Sequence, residues 1–248
     1  MALKQQPSIT LRRTAGEVKR YRTYKKVLPI IILILLTILI IGYVLSALYM
    51  KFGAFTVSVD KFDHLDYALT LSDEMEFVSN ASRLNAQISQ AVTNIDGSTL
   101  PDYLDNIDGE HNGDNYIAYT FYCKNAGRSQ FDYTYDLYIA NMTLDIEKAV
   151  RVRLYVNGDY VDYAYARTDG GEGPEPGTTA FTSKTTLVKN TVKDFSPGSK
   201  TKFTIVVWLE GNDPDCTDKI LGGQFKIDMA IDILQDSVID FFDSTKES

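Results

Sequence analysis

The residues that could do chemistry in this 248-residue chain are few and widely spaced. The only histidines are His64 and His111. A zinc hydrolase needs several nitrogen, sulfur or carboxylate ligands and a base, commonly with two histidines one helical turn apart. The chain has no HExxH, GxSxG, GxxxxGK[ST] or GxGxxG motif, so metal-dependent, serine-dependent and nucleotide-dependent enzymes all lack their parts. We predict a protein with no catalytic residues and two exposed loop histidines, with a metallopeptidase that uses both histidines and an acid as an alternative.

Two acidic loops offer oxygen ligands for a cation. Their carboxylates are Asp105, Asp108, Glu110 and Asp114 in the first loop, and Asp213, Asp215 and Asp218 in the second. Calcium binds six to eight such oxygens, but neither loop has the spacing of an EF-hand. Surface loops are also acidic because charged side chains are well solvated. A structural Ca²⁺ is therefore the one cofactor that the sequence suggests, and solvated turns are the alternative.

Strands are the elements that must position these loops. Alternation of apolar and polar residues recurs from Phe55 to Ile233, for example in Phe131 to Ile139, where aromatic and aliphatic residues alternate with Asp132, Thr134 and Asp136. This period of two indicates half-buried antiparallel strands. Asn157-Gly158 between two such runs indicates a tight hairpin.

One helical spacing interrupts the strand pattern, at Leu84, Ile88, Ala91 and Val92. We therefore predict that residues 51–248 form one all-β domain, an antiparallel two-sheet sandwich of the jelly-roll or Ig-like type with one short helix.

A run of 24 uncharged residues, 27–50, precedes this domain and is long enough to cross a bilayer as a helix. The 26 residues before it hold eight basic side chains and one acid, which predicts a cytoplasmic tail at 1–26 and an extracellular domain at 51–248. A cleaved signal peptide is the alternative, although its apolar core would be shorter. We predict an uncleaved signal-anchor in the plasma membrane.

The formal charge of −8 hides this asymmetry, because the tail carries +7 and the rest of the chain −15. An acidic outer part argues against nucleic acid as a partner. Cys123 and Cys216 both fall in the outer part, where a disulfide is permitted. The alternative is a small buried Cys123 in a strand and an unrelated loop Cys216.

Tyrosines are frequent in the predicted strands, with ten between Tyr116 and Tyr165. Such a stripe could stack against a glycan or a polymer, and the alternative is packing, since tyrosine suits a half-buried pleated surface.

Two stretches, Ile107 to Tyr122 and Val207 to Cys216, resemble an uncharacterised group of Gram-positive single-span surface proteins. The strand that ends in Lys124-Asn125-Ala126-Gly127 is more distantly similar to the biofilm matrix proteins TasA and camelysin. The resemblance implies a role at the cell surface or in the biofilm matrix, and no functional residue is transferred from it.

The leading hypothesis is therefore a non-enzymatic, membrane-anchored surface protein for adhesion or for surface or matrix assembly. Its partners would be the membrane, through residues 27–50, and itself, related β-domain proteins or wall polymer. A glycan-binding or ligand-binding surface sensor is the alternative, and a camelysin-like metallopeptidase is the second alternative.

Overall fold

The computed structural model describes residues 27–44, 54–59, 66–87, 92–171 and 173–234. The chain divides into two compact units, Met1–Met50 and Lys51–Ser248. In the first unit, helix α1 (Val27–Val44) is long and apolar enough to span a membrane, as an anchor or as a signal sequence. The residues of α1 are all exposed in the part of the chain that the structure describes. The basic tail, 1–26, and the last six residues of the predicted span lie outside the described residues.

The second unit is built of strands. The described residues form β1 (Ala54–Val59), β2 (Leu69–Ser72), β3 (Arg83–Gln87), β4 (Asn94–Ile95), β5 (Gly109–Glu110), β6 (Tyr116–Asn125), β7 (Phe131–Met142), β8 (Val150–Val156), β9 (Asp159–Ala164), β10 (Thr179–Ala180), β11 (Thr186–Phe195), β12 (Lys200–Glu210) and β13 (Phe225–Ile233).

These strands form two sheets. The smaller has the order β11-β7-β13-β1-β3, and the larger has the order β10-β9-β8-β12-β6-β2, with β4 beside β12 and β5 beside β6. Eight of the pairings are antiparallel, whereas β1 with β13, β9 with β10 and β4 with β12 are parallel. The predicted two-sheet β-fold is confirmed, and the three parallel pairs are a departure from a purely antiparallel sandwich.

Alternating side chains give the two sheets one shared core. Along β7 every second residue from Phe131 to Ile139 is buried, as the sequence pattern predicts. Aromatic rings join the sheets: the ring centroids of Phe55 and Tyr119 lie 5.8 Å apart, and those of Tyr135 and Phe203 lie 5.2 Å apart. The opposite faces of both sheets are left for solvent, loops or ligands.

The predicted helix over Leu84 to Val92 is wrong where the structure describes it. Residues 83–87 form β3, which pairs antiparallel with β1 and places Leu84 opposite Val57. Leu84 packs against the shared core, so burial and ladder hydrogen bonds outweigh a helical spacing of only four apolar residues. Ile88 and Ala91 lie outside the described residues.

A second, smaller core covers part of the outer face of the larger sheet. The segment between β4 and β5 lays Leu100 and Leu104 over Val206 and Trp208 of β12. Leu104 is fully buried there. This segment therefore builds a raised edge on an otherwise open sheet face.

Candidate functional site

A cleft of about 530 Å³ lies on the outer face of the larger sheet, beside the second core. Its floor is formed by Arg151 and Arg153 of β8, Asp162 of β9 and Trp208 of β12. Alternation along β8 sends these arginines outward because Val150 and Val152 point into the core. Loops at residues 96–98, 167–169, 175–178 and 210–214 border what we call the outer cleft.

Arg151 is fixed at the deep end of the outer cleft by Asp213. The two side chains form a hydrogen-bonded ion pair and are 5% and 1% exposed. The other carboxylate oxygen of Asp213 accepts the backbone N–H of Asp215 at 2.7 Å. Glu175 shares the same guanidinium, with Oε2 3.7 Å from Nη2 of Arg151. Both oxygens of Asp213 are therefore already held by protein donors.

Arg153 is clamped by Asp162, which lies directly opposite it in the β8-β9 ladder. The guanidinium donates through Nε at 2.7 Å and through Nη2 at 2.9 Å, the planar two-point geometry that arginine offers a carboxylate. The ring of Tyr160 lies 4.3 Å from its Cζ. Hydrogen bonding to Asp162 raises the pKa of Arg153 above its ordinary value.

The hairpin at Asn157-Gly158 sets this register. Both residues have positive φ, 54° and 99°, which is the left-handed region that a two-residue hairpin turn needs. The ladder then pairs Val156 with Asp159 and, three residues further, Arg153 with Asp162. The sequence therefore predicts the turn, and the turn brings together Arg153 and Asp162, a pair that the sequence does not predict.

Glu210 ties one border of the cleft to its floor. Its Oε2 accepts the indole N–H of Trp208 and the backbone N–H of Gly97, each at 3.0 Å. A Cβ at Gly97 would lie 2.9 Å from the Trp208 ring and from the Glu210 carboxylate, so only glycine fits there. The loop at 96–98 is thus held close to the tryptophan.

Arg167 and Asp169 form a third arginine-carboxylate pair at the rim, with Nε to Oδ1 at 3.0 Å and Nη2 to Oδ2 at 2.6 Å. The hydrogen bond from Arg167 lowers the pKa of Asp169 to about 2. The hydroxyl of Thr168 donates to Asp215, which joins this rim to the second acidic loop.

Glu175 differs from the other carboxylates of the cleft. Partial burial raises its pKa, and the charge of Asp213 raises it further, while Arg151 acts in the opposite direction. A carboxyl with a raised pKa beside a second carboxyl resembles an acid-base pair. However, the Asp213 side chain is almost fully buried, and both of its oxygens already accept hydrogen bonds from protein donors, so it is not exposed to a substrate. The arrangement is suited to binding.

Neither a family model nor a curated protein matches the chain. Two similar solved structures are a GH31 α-xylosidase from Xanthomonas citri and a β-glucosidase from Kluyveromyces marxianus in complex with glucose, each 12% identical to this chain. The TM-scores are 0.24 and 0.23, and the matches cover 71% and 65% of this chain but only 14% and 16% of those proteins. The chain spans about one seventh of the length of these enzymes, and similarity at this level has no bearing on its activity.

The first acidic loop is engaged with the larger sheet rather than with the second acidic loop. Asp105 pairs with Lys202 at 3.0 Å, and Asp108 accepts the Tyr122 hydroxyl at 2.6 Å. Glu110 accepts the side-chain N–H of Asn112 at 2.7 Å. Burial, followed by this bond to Asp108, raises the pKa of Tyr122. These contacts brace the segment that carries the second core.

The carboxylates proposed for calcium do not converge in the described ranges. Asp213 borders the outer cleft, and Asp215 is hydrogen-bonded to Asp213 and Thr168. Asp218 opens a 3₁₀ turn, and Asp114 lies exposed before β6. Within these ranges no group of three or more histidine, cysteine or acidic side chains is placed to hold a metal ion. The structural Ca²⁺ stays a prediction.

The two cysteines are free thiols, so the disulfide alternative is not what the structure contains. Cys123 is buried on β6 opposite Thr201, near the start of β12. Cys216 interacts with Asn94, which pairs with Leu209 near the end of β12. Eight residues of strand separate these positions, roughly 27 Å, far beyond the reach of a disulfide.

His111 is half-buried, and its Nδ1 lies 2.9 Å from the carbonyl oxygen of Gly109. His111 lies in a loop as predicted, but it is half-buried and not exposed, and His64 lies outside the described residues. Six of the ten tyrosines in the stripe are buried and serve packing: Tyr119, Tyr122, Tyr133, Tyr135, Tyr155 and Tyr163.

Sequence reasoning missed Arg151, Arg153, Glu175 and Trp208 as site residues. A signal was present in Val150 to Val156, where two arginines occupy successive outward positions of a strand whose inward positions are aliphatic. Charged residues at i and i+2 on one strand face predict a polar surface. Nothing in the sequence indicates that Glu175, from a glycine-rich loop, reaches that surface.

Proposed function

We propose that the chain is a single-span, membrane-anchored surface protein whose β-domain binds a partner through the outer cleft, in adhesion or in the assembly of a surface or matrix layer. The cleft carries this proposal. Its charged side chains are each held by another group before any ligand arrives, and such preorganisation favours recognition because little ordering remains to be done on binding.

Two further observations support the anchored arrangement. Helix α1 presents apolar side chains all round, and a bilayer is the environment in which such a helix needs no protein cover. The excess of basic residues before it favours a cytoplasmic N-terminus and an exported domain.

Topology is tested by protease treatment of intact cells that produce the full chain with a C-terminal epitope tag. We expect the tag to be lost from intact cells, and a cytoplasmic marker protein to survive. A tag that resists protease until the cells are broken would contradict the proposed orientation.

The role of the outer cleft is tested with Ser98→Trp, which places a large side chain at its border. We expect this variant, in the full chain, to lose attachment to cells or surface polymer. Ser79→Trp is the matched control, because Ser79 is also exposed but does not line the cleft. Equal attachment by the two variants would place the binding surface elsewhere.

A further inference from the structure

The outer cleft has an excess of acceptors over cations. Among the described residues that line it, six carboxylates face three guanidinium groups, a surplus of three negative charges. Each arginine is already paired with one carboxylate: Arg151 with Asp213, Arg153 with Asp162 and Arg167 with Asp169. The three guanidinium charges are therefore each balanced by a carboxylate, and an anionic ligand would meet the remaining negative charge of the cleft.

The surplus resides on Asp96, Glu175 and Glu210. Asp96 accepts the backbone N–H of Ser98 at 2.8 Å, and Glu210 accepts from Gly97 and Trp208, so neutral donors serve both. Glu175 has a cation nearby, but that cation is the Arg151 guanidinium that Asp213 holds more closely. None of these three carboxylates has a positive charge of its own from the residues that line the cleft.

We infer that the outer cleft is a binding site for an ammonium or guanidinium group, presented as a lysine or arginine side chain on an exposed segment of a partner protein. This inference rests on the proposed function and names the chemistry of its ligand. A volume of about 530 Å³ accommodates one long basic side chain with its flanking backbone. The N–H donors of such a side chain would form charge-assisted hydrogen bonds with Glu175 and with the rim. Its positive charge would balance part of the negative charge that the three arginines of the cleft leave unbalanced.

The charge of the whole outer part supports the same ligand. Residues after position 26 carry −15, so long-range attraction draws a basic partner toward the domain and repels an acidic one. Two copies of this domain repel each other for the same reason, which favours a different protein as the source of the side chain.

The test uses the full chain in detergent and short capped peptides, Gly-Lys-Gly and Gly-Arg-Gly, with Gly-Gln-Gly and Gly-Glu-Gly as neutral and acidic probes. Trp208 is the only tryptophan and lies in the cleft, so its fluorescence reports occupancy. We expect the basic peptides to bind about tenfold or more tightly than the neutral one, and the difference to shrink as salt rises. Equal or tighter binding of the neutral or acidic peptide, or no binding of either basic peptide, would overturn the inference.

Glu175→Gln tests the carboxylate itself while keeping its shape. We expect about a tenfold loss of affinity for the lysine peptide. Glu76→Gln removes the same charge from an exposed position outside the cleft and should retain affinity. An equal loss of affinity in the two variants would show that Glu175 does not take part in binding.

Two outcomes separate this inference from the function on which it rests. If glucosamine binds as tightly as the lysine peptide, the site recognises a free amine and not a protein side chain, so the inference is wrong as stated. If only neutral glycans bind, and Ser98→Trp abolishes that binding, the proposed function stands and the inference fails.

Discussion

Arg151 and Asp213 form a buried ion pair between β8 and the loop after β12, with both side chains at least 95% removed from solvent. The pair joins the floor of the outer cleft to its border. Removing one partner from a buried pair leaves an uncompensated charge, whereas replacing both with apolar groups is often tolerated. A change to one member alone is therefore expected to disturb the cleft and to lower the stability of the domain.

The Arg151 and Asp213 pair gives the first prediction. We expect Arg151→Met to lower the free energy of unfolding by about 3 kcal/mol, since Asp213 is then buried without its cation. The double variant Arg151→Met with Asp213→Leu should recover part of that loss. Urea unfolding followed by Trp208 fluorescence measures both. A double variant less stable than the sum of the single effects would contradict the assignment.

The second core gives a prediction about Trp208. Leu104 is fully buried, so we expect Leu104→Ala to cost roughly 2–5 kcal/mol of stability and to shift Trp208 emission to longer wavelength as water enters. The neighbouring Tyr103 is 56% exposed, and Tyr103→Ala should change stability by about 0.5 kcal/mol or less. Similar losses in both variants would show that the segment is not packed as described.

Glu175 should make stability depend on pH. Its pKa is raised in the folded state by burial and by Asp213, so the folded chain holds this proton at pH values where the unfolded chain has released it. That contribution favours folding at low pH and is lost as pH rises from the ordinary value of 4.5 through the raised pKa.

As pH rises from 4.5 through the raised pKa of Glu175, the Glu175→Gln variant should therefore lose less stability than the unsubstituted chain. The stability of Glu76→Gln should change with pH in the same way as that of the unsubstituted chain. Urea midpoints measured at closely spaced pH values make the comparison. Parallel profiles for Glu175→Gln and the unsubstituted chain would contradict the predicted linkage.

The cysteines should differ in reactivity. Burial raises the pKa of both thiols, but Cys123 is inaccessible in the shared core whereas Cys216 is partly exposed. We expect a thiol reagent to modify Cys216 slowly in the native protein and to modify both cysteines in denaturant. Adding a reductant should not change the stability of the domain. Detection of no thiol in denaturant would show that the two are bridged.

The sequence predicts local structure here better than it predicts the site. Strands such as β7 and β13 follow from alternation, and the β8-β9 hairpin follows from Asn157-Gly158, because both signals depend only on neighbours in sequence. The strand β3 was missed because its partner β1 lies about 28 residues away and supplies the burial. The outer cleft was missed because it assembles residues from 96 to 214, and only tertiary structure brings Glu175 to Arg151.

The parallel pairing of β1 with β13 bears on how the domain is made. Thr56 donates its backbone N–H to the Asp228 carboxylate at 3.0 Å across 172 positions of sequence, and β13 lies between β1 and β7 in the smaller sheet. Strand β1 is therefore made well before β13, the strand that must be in place before this sheet can close. Contacts so distant in sequence slow folding, and a chain that ends before residue 225 lacks the strand that joins β1 to β7.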